Sequence, residues 1–176
     1  EGVSIDDLDA GLDDQTGYKS LLHGEEPTIQ HFPAFRDEID FLSQYLRQVE
    51  NEGESASAVC LVARTNELLK QYESALKEKG CQTYLVRRSE AEDRNLPGLR
   101  LATMHRVKGL EFDRVIIAGV NEGIVPYEGA ERDSPDPTVR REFDIRERAL
   151  LYVAATRAKK VVVVTSFGKA SRFLGK

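Results

Sequence analysis

A short polar segment in the middle of the chain carries five residues that could contribute to a functional site through polar or charged side chains or through backbone freedom: Thr103, His105, Lys108, Gly109 and Glu111. Two apolar runs flank this segment, at residues 99–104 and 115–118. Apolar runs of this length, bounded by turn residues, are typical of strands buried on both faces of a parallel sheet. Because ligands bind outside the carboxyl ends of strands in open α/β sheets, this segment is the first candidate for a functional site.

Structural explanations compete with the functional ones at several of these positions. Gly109 allows a positive φ or a close backbone approach. Lys108 suits either a phosphate contact or a capping role, and for a single histidine such as His105 a structural role is nearly as common as a binding role. The spacing of His105 from His23 and His31 is not that of metal ligands, and no cysteine pair accompanies them, so the sequence predicts no metal site.

Two arginines occupy positions where a guanidinium has a specific use. Arg157 shares a helical apolar stripe with Leu150 and Val153, where its charge is costly unless a carboxylate or a phosphate pairs with it. From spacing alone, the preferred explanation is a salt bridge to an internal acid or a side chain that reaches water. Arg64 directly follows a predicted strand at residues 58–63, where the alternative is a surface arginine beside a helix N-cap.

The elements that must position these residues alternate between strand and helix. A helical period runs over residues 36–53, and a second helix begins at Thr65 or Asn66 and ends at Gly80. The other predicted elements are strands at residues 29–32, 58–63, 82–86, 99–104, 115–118 and 161–165, and a helix at about 141–158. This alternation predicts an α/β fold with a parallel sheet. The last helix is apolar nearly all round at residues 149–155, so we expect it to be deeply buried.

The length and composition of the chain are those of one globular domain. The chain has 176 residues, of which 40% are apolar and 31% charged. No apolar run approaches the roughly 18 residues that span a membrane, and the N-terminus lacks the basic and apolar regions of a signal peptide, so no membrane partner is expected. Cys60 and Cys81 lie inside apolar runs and are interpreted as reduced, which favours a cytoplasmic location.

Charge is distributed unevenly behind a net value of −5. Residues 1–30 hold eight acids and one lysine, whereas residues 146–176 hold eight bases and one acid. The overall charge argues against strong nucleic-acid binding by this chain alone, and the basic end is explained equally well by a local binding patch or by solvated surface charge. Because residues 1–28 lack a sustained period, we expect an acidic arm or linker at residues 1–35, partly extended or disordered, ahead of a domain at residues 36–176.

Three stretches resemble motifs of one protein family. Residues 103–113, TMHRVKGLEFD, resemble the fifth motif of the UvrD/Rep-type superfamily I helicases, and residues 147–159, ERALLYVAATRAK, are similar to the sixth. Residues 58–66, AVCLVARTN, are similar to the shorter and more variable fourth motif. The resemblance covers roughly residues 58–174 and implies a RecA-like fold, with helices on both faces of a parallel sheet, of the kind that forms the second motor domain of such helicases.

The resemblance implies a role for residues that face the nucleotide. Arg157 matches an arginine that acts as a finger on the γ-phosphate of ATP, and Arg64 matches an arginine that reaches the same phosphate. Glu111 matches a glutamate that contacts the ribose, and Gly109 and Lys108 belong to the same segment. We therefore expect Arg64 and Arg157 to lie together at one edge of the sheet.

The resemblance also implies contacts with DNA and a division of labour with another domain. Thr103 and His105 resemble residues that face the DNA backbone. A phosphate-binding loop of the Walker A type is absent, because Val163 stands where the first glycine would precede Gly168 and Lys169. No predicted strand ends in paired acids that would hold Mg²⁺, so we expect ATP with Mg²⁺ to be shared with, and held mainly by, an N-terminal helicase domain outside this chain.

The primary hypothesis is therefore a C-terminal motor domain of an ATP-dependent superfamily I DNA helicase that contacts single-stranded DNA and lacks ATPase activity by itself. A non-catalytic helicase-like adaptor that binds protein or DNA is the alternative, motivated by the acidic arm and the missing Walker A loop. A nuclease domain is a weaker option, since it needs an acidic metal cluster with a catalytic lysine and the sequence shows none.

Overall fold

The computed structural model describes residues 26–87, 95–129 and 133–175, together with the backbone of two short strands near the N-terminus. These strands, β1 (Ile5–Asp6) and β2 (Leu12–Asp13), form an antiparallel pair. Apart from them, the predicted acidic arm lies outside the described residues as far as position 25.

Six strands form one fully parallel sheet, as the strand–helix alternation predicts. In chain order they are β3 (Thr28–Phe32), β4 (Val59–Ala63), β5 (Thr83–Leu85), β6 (Leu99–Thr103), β7 (Phe112–Ile117) and β8 (Ala158–Phe167). Their spatial order is β3-β8-β7-β4-β6-β5, and every neighbouring pair is parallel. All five residues of the central strand β4 are buried because other elements cover both faces of the sheet.

Two helices cover the first face of the sheet. These are α1 (Phe35–Asn51) and α2 (Asn66–Glu78), and they pack through regularly spaced apolar side chains against inward residues of β4 and β7. The members of this core include Leu42, Leu46, Leu69, Leu76, Leu61 and Ile116. The helix α2 begins where predicted, because the Thr65 hydroxyl accepts a hydrogen bond from the Leu68 N–H at 3.2 Å and acts as the N-cap.

The third helix and an irregular segment cover the second face. The helix is α3 (Pro137–Ala155), which begins at the N-cap Asp136 with proline in its first turn. The irregular segment, residues 104–111, connects β6 to β7 and is called the crossover below. Both supply residues to a second core that includes Val107, Leu110, Val115, Ile117 and Ala154. Helices thus lie on both faces of the sheet, as the family resemblance implies.

The strand predicted at residues 29–32 is present as the edge strand β3, which pairs in register with β8. One helix differs from the sequence-based expectation. The expectation that residues 149–155 are deeply buried is wrong, since Tyr152 is 71% exposed and Ala154 is the one fully buried residue among them. The helix packs on the sheet through a single face, and its other face meets solvent.

The parallel direction of the strands gives the sheet two distinct edges. At the carboxyl edge β4 and β6 end, at Ala63 and Thr103, and a hydrogen bond of 3.0 Å from the Met104 N–H to the Ala63 oxygen joins the two strand ends. At the amino edge β7 and β8 begin side by side, at Phe112 and Ala158. The crossover therefore runs from one edge to the other.

A buried carboxylate joins the first face of the sheet to the carboxyl edge. The Glu38 side chain on α1 is fully buried and accepts hydrogen bonds from the Tyr72 hydroxyl at 2.6 Å and from the Gly119 N–H at 3.2 Å. Burial raises the pKa of Glu38 above its ordinary value, because removal from water disfavours the charged form. Gly119 adopts a φ of +67° directly after β7. This network holds the start of the following loop, residues 119–129, against the helices.

No helix within the described parts of the chain is long and apolar enough to span a lipid bilayer. Both cysteines are free thiols.

Candidate functional site

An ion pair between β4 and α3 organises the carboxyl edge. The Arg64 guanidinium donates to both carboxylate oxygens of Glu147, from Nε at 3.0 Å and from Nη2 at 2.7 Å. The side chains are 14% and 5% exposed, respectively. A third donor, the main-chain N–H of Tyr127, reaches Glu147 Oε2 at 3.0 Å. The Tyr127 ring lies 5.2 Å from the Arg64 guanidinium carbon, within cation–π range.

The ionisation of Glu147 is set by opposing effects. Burial disfavours its charged form, but the hydrogen bonds from Arg64 and from the Tyr127 N–H, with the charge of Arg64, outweigh burial and hold the pKa of Glu147 below its ordinary value. The Glu147 carboxylate is therefore charged at neutral pH, and the Arg64–Glu147 contact is a bidentate, charge-assisted pair.

Thr103 and His105 lie beside this ion pair. The Thr103 hydroxyl is half-buried and accepts the Arg106 N–H at 3.2 Å, whereas His105 is exposed. A cavity of about 620 Å³ separates the crossover from α3; its lining includes Arg64, His105, Lys108, Tyr127, Glu147 and Val153. A second cavity of about 840 Å³ lies on the other side of His105 and reaches Thr103 and Asn66, the first residue of α2. Arg64, Thr103, His105, Lys108, Tyr127 and Glu147 are called the carboxyl-edge group below.

Arg157 lies at the opposite edge, between α3 and β8. Its main-chain oxygen accepts the Phe112 N–H at 3.0 Å, which joins the start of β7 to the end of α3. Its guanidinium donates to two neutral oxygens, Val153 O from Nε at 3.2 Å and Thr156 Oγ1 from Nη2 at 3.2 Å. Among residues 26–87, 95–129 and 133–175, no carboxylate forms an ion pair with it. Most of its five N–H donors thus remain available for an anion.

Two other predicted nucleotide residues lie on the part of the crossover that leads into β7. Glu111 immediately precedes β7 and is exposed, with its carboxylate 3.5 Å from the Lys159 ammonium. Gly109 is exposed and adopts a φ of +84°, a conformation that side chains rarely accept. Gly109, Glu111, Arg157 and Lys159 are called the amino-edge group below. Lys108, by contrast, lines the cavity that contains Arg64 and His105.

The expectation that Arg64 and Arg157 lie at one edge of the sheet is wrong. Arg64 follows the end of β4, and Arg157 precedes the start of β8. In a parallel sheet these positions are at opposite edges, and the 6 residues of β7 lie between the two levels, a distance of about 20 Å at 3.3 Å per residue. The structure brings Arg64 together with Thr103 and His105, and it brings Arg157 together with Glu111.

From the sequence, we expect Glu147 and Arg148 only to orient the helix that carries them, and nothing singles out Tyr127. Glu147 stands among apolar residues on the buried face of α3, one turn from Phe143, and an acid in that position indicates a buried basic partner. The side chain of Arg148 instead lies over the Phe173 ring at 4.2 Å. Tyr127 gives no local signal, because the segment around it is rich in glycine and proline and has no period.

Comparison with known proteins agrees with this architecture. Residues 87–169 match the model of the UvrD-like helicase C-terminal domain. The ATP-dependent DNA helicase PcrA of Staphylococcus aureus is 33% identical over 139 residues, which are 73% of this chain and 18% of that protein. PcrA of Staphylococcus epidermidis is 36% identical over 96 residues, which are 48% of this chain and 12% of that protein. The chain thus spans less than a fifth of these relatives.

Solved structures show the same fold at lower sequence identity. The C-terminal domain of a possible DNA helicase from Lactobacillus plantarum WCFS1 superposes with a TM-score of 0.63 at 22% identity, over 86% of this chain and 80% of that one. The SWI2/SNF2 ATPase core of Sulfolobus solfataricus, solved with double-stranded DNA, gives a TM-score of 0.52 at 9% identity, over 81% of this chain and 27% of that one. The match over residues 87–169, with the likeness to PcrA, identifies this part of the chain as a UvrD-like helicase C-terminal domain.

Proposed function

We propose that this chain is the C-terminal motor domain of an ATP-dependent DNA helicase, with a nucleotide-facing amino edge and a carboxyl edge that contacts single-stranded DNA. The PcrA relatives are ATP-dependent DNA helicases by name, and the chain matches 18% of the Staphylococcus aureus protein and 12% of the Staphylococcus epidermidis protein. An N-terminal domain of the full-length protein holds the phosphates and Mg²⁺ in this proposal. The observation that carries it is the division of the predicted residues into two groups at opposite edges of one sheet.

The amino-edge group suits contacts with the side of the nucleotide that faces away from the N-terminal domain. Arg157 presents a guanidinium that is paired with neutral oxygens and no described carboxylate, and its planar fork matches the geometry of phosphate oxygens. In this position Arg157 stabilises the negative charge that develops on the γ-phosphate during hydrolysis. The exposed Glu111 carboxylate accepts hydrogen bonds from ribose hydroxyls, and Gly109 lets the backbone approach closely.

The carboxyl-edge group fits a nucleic-acid backbone. His105 and Lys108 are exposed cationic or polar side chains between two cavities, and Thr103 offers a hydroxyl beside them. Contacts of this kind with phosphate and sugar hold a strand in position without reading its bases. We place Arg64 beside these contacts as a structural residue and not at the γ-phosphate, because Glu147 already neutralises its charge and it lies at the edge opposite to Arg157.

The test is the ATPase activity of the full-length helicase that contains this chain, measured with single-stranded DNA present. Arg157→Ala should lower kcat by roughly a thousandfold or more, the usual worth of an arginine finger, and leave most of the nucleotide affinity. Arg157→Lys should recover little of the loss because an ammonium lacks the planar fork. The control is Arg141→Ala, which removes an exposed arginine from the first half of α3.

Three results would contradict the proposal. Unchanged turnover in Arg157→Ala would remove the arginine from the reaction. Hydrolysis of ATP by the isolated chain in the presence of DNA would show that no second domain is needed. A full-length protein that binds DNA but never hydrolyses ATP would favour the non-catalytic adaptor instead.

A further inference from the structure

Glu147 makes more contacts than an ordinary ion-pair partner. Its carboxylate accepts three hydrogen bonds, two from Arg64 and one from the Tyr127 N–H. It therefore joins three separate segments: the end of β4, the 119–129 loop and α3. The side chain of Glu147 is 5% exposed, so water competes little for these bonds.

Stability alone does not explain a charged pair at this position. A buried ion pair contributes little net free energy of folding relative to apolar side chains of the same volume, because both ions lose their hydration. A bidentate pair, however, permits one relative placement of guanidinium and carboxylate, so it fixes geometry more strictly than an apolar contact does. The pair sets where Arg64 and Tyr127 stand relative to α3.

The same helix carries the predicted arginine finger. α3 ends at Ala155, and Arg157 stays attached to its last turn, because its main-chain N–H donates to the Ala154 oxygen and its Nε donates to the Val153 oxygen, both at 3.2 Å. Glu147 and Arg157 are about 15 Å apart along the helix at 1.5 Å per residue. An α-helix of this length moves as a rigid rod, so a displacement at the Arg157 end reaches Glu147.

We infer that Glu147 is a positioning residue that transmits movement of α3 from the nucleotide at the amino edge to the nucleic acid at the carboxyl edge. This inference rests on the proposed function. When Arg157 binds or releases a phosphate, α3 shifts. The hydrogen bonds that Glu147 accepts from Arg64 and from the Tyr127 N–H carry this shift to the cavity wall, which also contains His105 and Lys108. Glu147 touches neither nucleotide nor DNA; it acts through Arg64 and Tyr127.

The test is the change in affinity for single-stranded DNA that a nucleotide produces in the full-length protein. A fluorescent oligothymidylate is titrated with and without a non-hydrolysable ATP analogue, and the ratio of the two Kd values measures the coupling. Coupling ratios between sites are typically about 5- to 150-fold. In Glu147→Gln, which keeps the shape and one acceptor for the Tyr127 N–H, we expect this ratio to fall below about twofold.

Controls separate positioning from folding. Glu142→Gln removes an exposed carboxylate from α3 and should keep the wild-type ratio. Arg64→Lys keeps a positive charge but loses the bidentate geometry, so it should reduce the ratio as Glu147→Gln does. The double variant Arg64→Gln with Glu147→Gln should lose no more coupling than either single variant, because the residues act as one unit. Thermal unfolding identifies any variant that is misfolded.

The outcomes distinguish the two proposals. A wild-type ratio in folded Glu147→Gln and Arg64→Lys would overturn the positioning role and leave the proposed function standing. If the wild-type protein itself shows no effect of the nucleotide on DNA affinity, both proposals fail. If Arg157→Ala abolishes turnover while Glu147→Gln abolishes only the coupling, both are supported.

Discussion

The main-chain oxygen of Arg157 accepts the N–H of Phe112 at 3.0 Å, so the residue before β8 and the first residue of β7 are joined at the amino edge. This bond places Glu111, the residue before Phe112, next to the Arg157 backbone. Two motifs that are far apart in the sequence thus form one short surface. Under the proposed function this surface faces the nucleotide, and Glu111 binds the ribose.

Substituting Glu111 should weaken nucleotide binding without slowing the chemical step. A ribose contact is the same in the ground state and the transition state, so its loss raises KM and leaves kcat nearly unchanged. For Glu111→Gln in the full-length protein we expect KM for ATP to rise by roughly tenfold, the equivalent of one charge-assisted hydrogen bond. Steady-state ATPase kinetics measure both constants.

The matched control for Glu111→Gln is Asp113→Asn. Asp113 lies two residues further along and pairs with the Lys160 ammonium at 2.8 Å, so it is an acid of similar surroundings without a predicted ligand. Its substitution should leave both kinetic constants close to wild type. A drop in kcat with unchanged KM for Glu111→Gln would exclude the ribose assignment.

Gly119 is a position where glycine is required by space as well as by backbone conformation. A Cβ there would lie 2.7 Å from Leu68 Cδ2 and 2.9 Å from the Tyr72 hydroxyl, and φ is +67°. Gly53 has a similar φ of +85° but no atom within 4 Å of an added Cβ. Gly53→Ala should cost about 1 kcal/mol of unfolding free energy for the backbone alone. Gly119→Ala should cost about 2–4 kcal/mol, because overpacking adds to that.

Urea unfolding of the two glycine variants of this chain measures these values. Equal losses of unfolding free energy in the two variants would mean that the side chains of Leu68 and Tyr72 move aside at no cost. The comparison is clean because both glycines need the left-handed region and differ in their surroundings.

Most secondary structure follows from the sequence because burial imposes a period on it. The strand β4 is apolar without interruption, and α2 carries a stripe of leucines after Thr65, so both are predictable. The exposure of Tyr152 is not predictable in the same way. Apolar composition shows which side chains can be buried, whereas only the packing of α3 on the sheet decides which of them are.

The candidate site was predictable in its members but not in its arrangement. Thr103 ends a strand and His105 and Arg64 follow strands, which indicates the carboxyl edge from local sequence. Arg157 precedes a strand, so chain direction alone predicts that it lies at the opposite edge. The family resemblance instead implies that Arg64 and Arg157 share one γ-phosphate, and this implication led to the wrong expectation of a single edge. The Arg64–Glu147 pair joins residues 83 positions apart, and such a contact depends on the complete fold.

The buried Glu38 carboxylate predicts a specific dependence of stability on pH. Because burial raises the pKa of Glu38 in the folded chain, the folded state binds more protons than the unfolded state between the two pKa values. The contribution of Glu38 to stability is thus greatest below its unfolded pKa, about 4.3, and is lost as pH rises through the raised value. In Glu38→Gln this loss is absent.

The measurement for Glu38 is the difference in unfolding free energy between Glu38→Gln and wild type at several pH values. We expect the difference to move in favour of the glutamine variant as pH rises, and then to level off. Taking the difference cancels other titrating groups, such as Glu54 and Glu147, whose lowered pKa values act in the opposite direction. Glu50→Gln, at an exposed position on the same helix, is the control. A difference that does not change with pH would contradict the prediction.

Substitution of Lys108 tests whether this residue contacts the nucleotide or the DNA. The family resemblance places it with the nucleotide, whereas in the fold its side chain lines the same cavity as Arg64 and His105. If Lys108 neutralises a DNA phosphate, the variant without this lysine should release one fewer counterion from the DNA when it binds. For Lys108→Ala in the full-length protein we expect weaker binding of an oligothymidylate and a salt-dependence slope reduced by about 0.7. KM for ATP should stay unchanged.

The comparison variant is Lys79→Ala, because Lys79 lies at the far end of α2 and pairs with Asp40 at 2.5 Å. Its removal should leave the salt slope at the wild-type value. A raised KM for ATP in Lys108→Ala, with an unchanged slope, would return Lys108 to the nucleotide and show that the crossover serves the amino edge along its whole length. A reduced slope with normal KM instead assigns the two ends of the crossover to different ligands, since Glu111 begins the amino edge only three residues after Lys108.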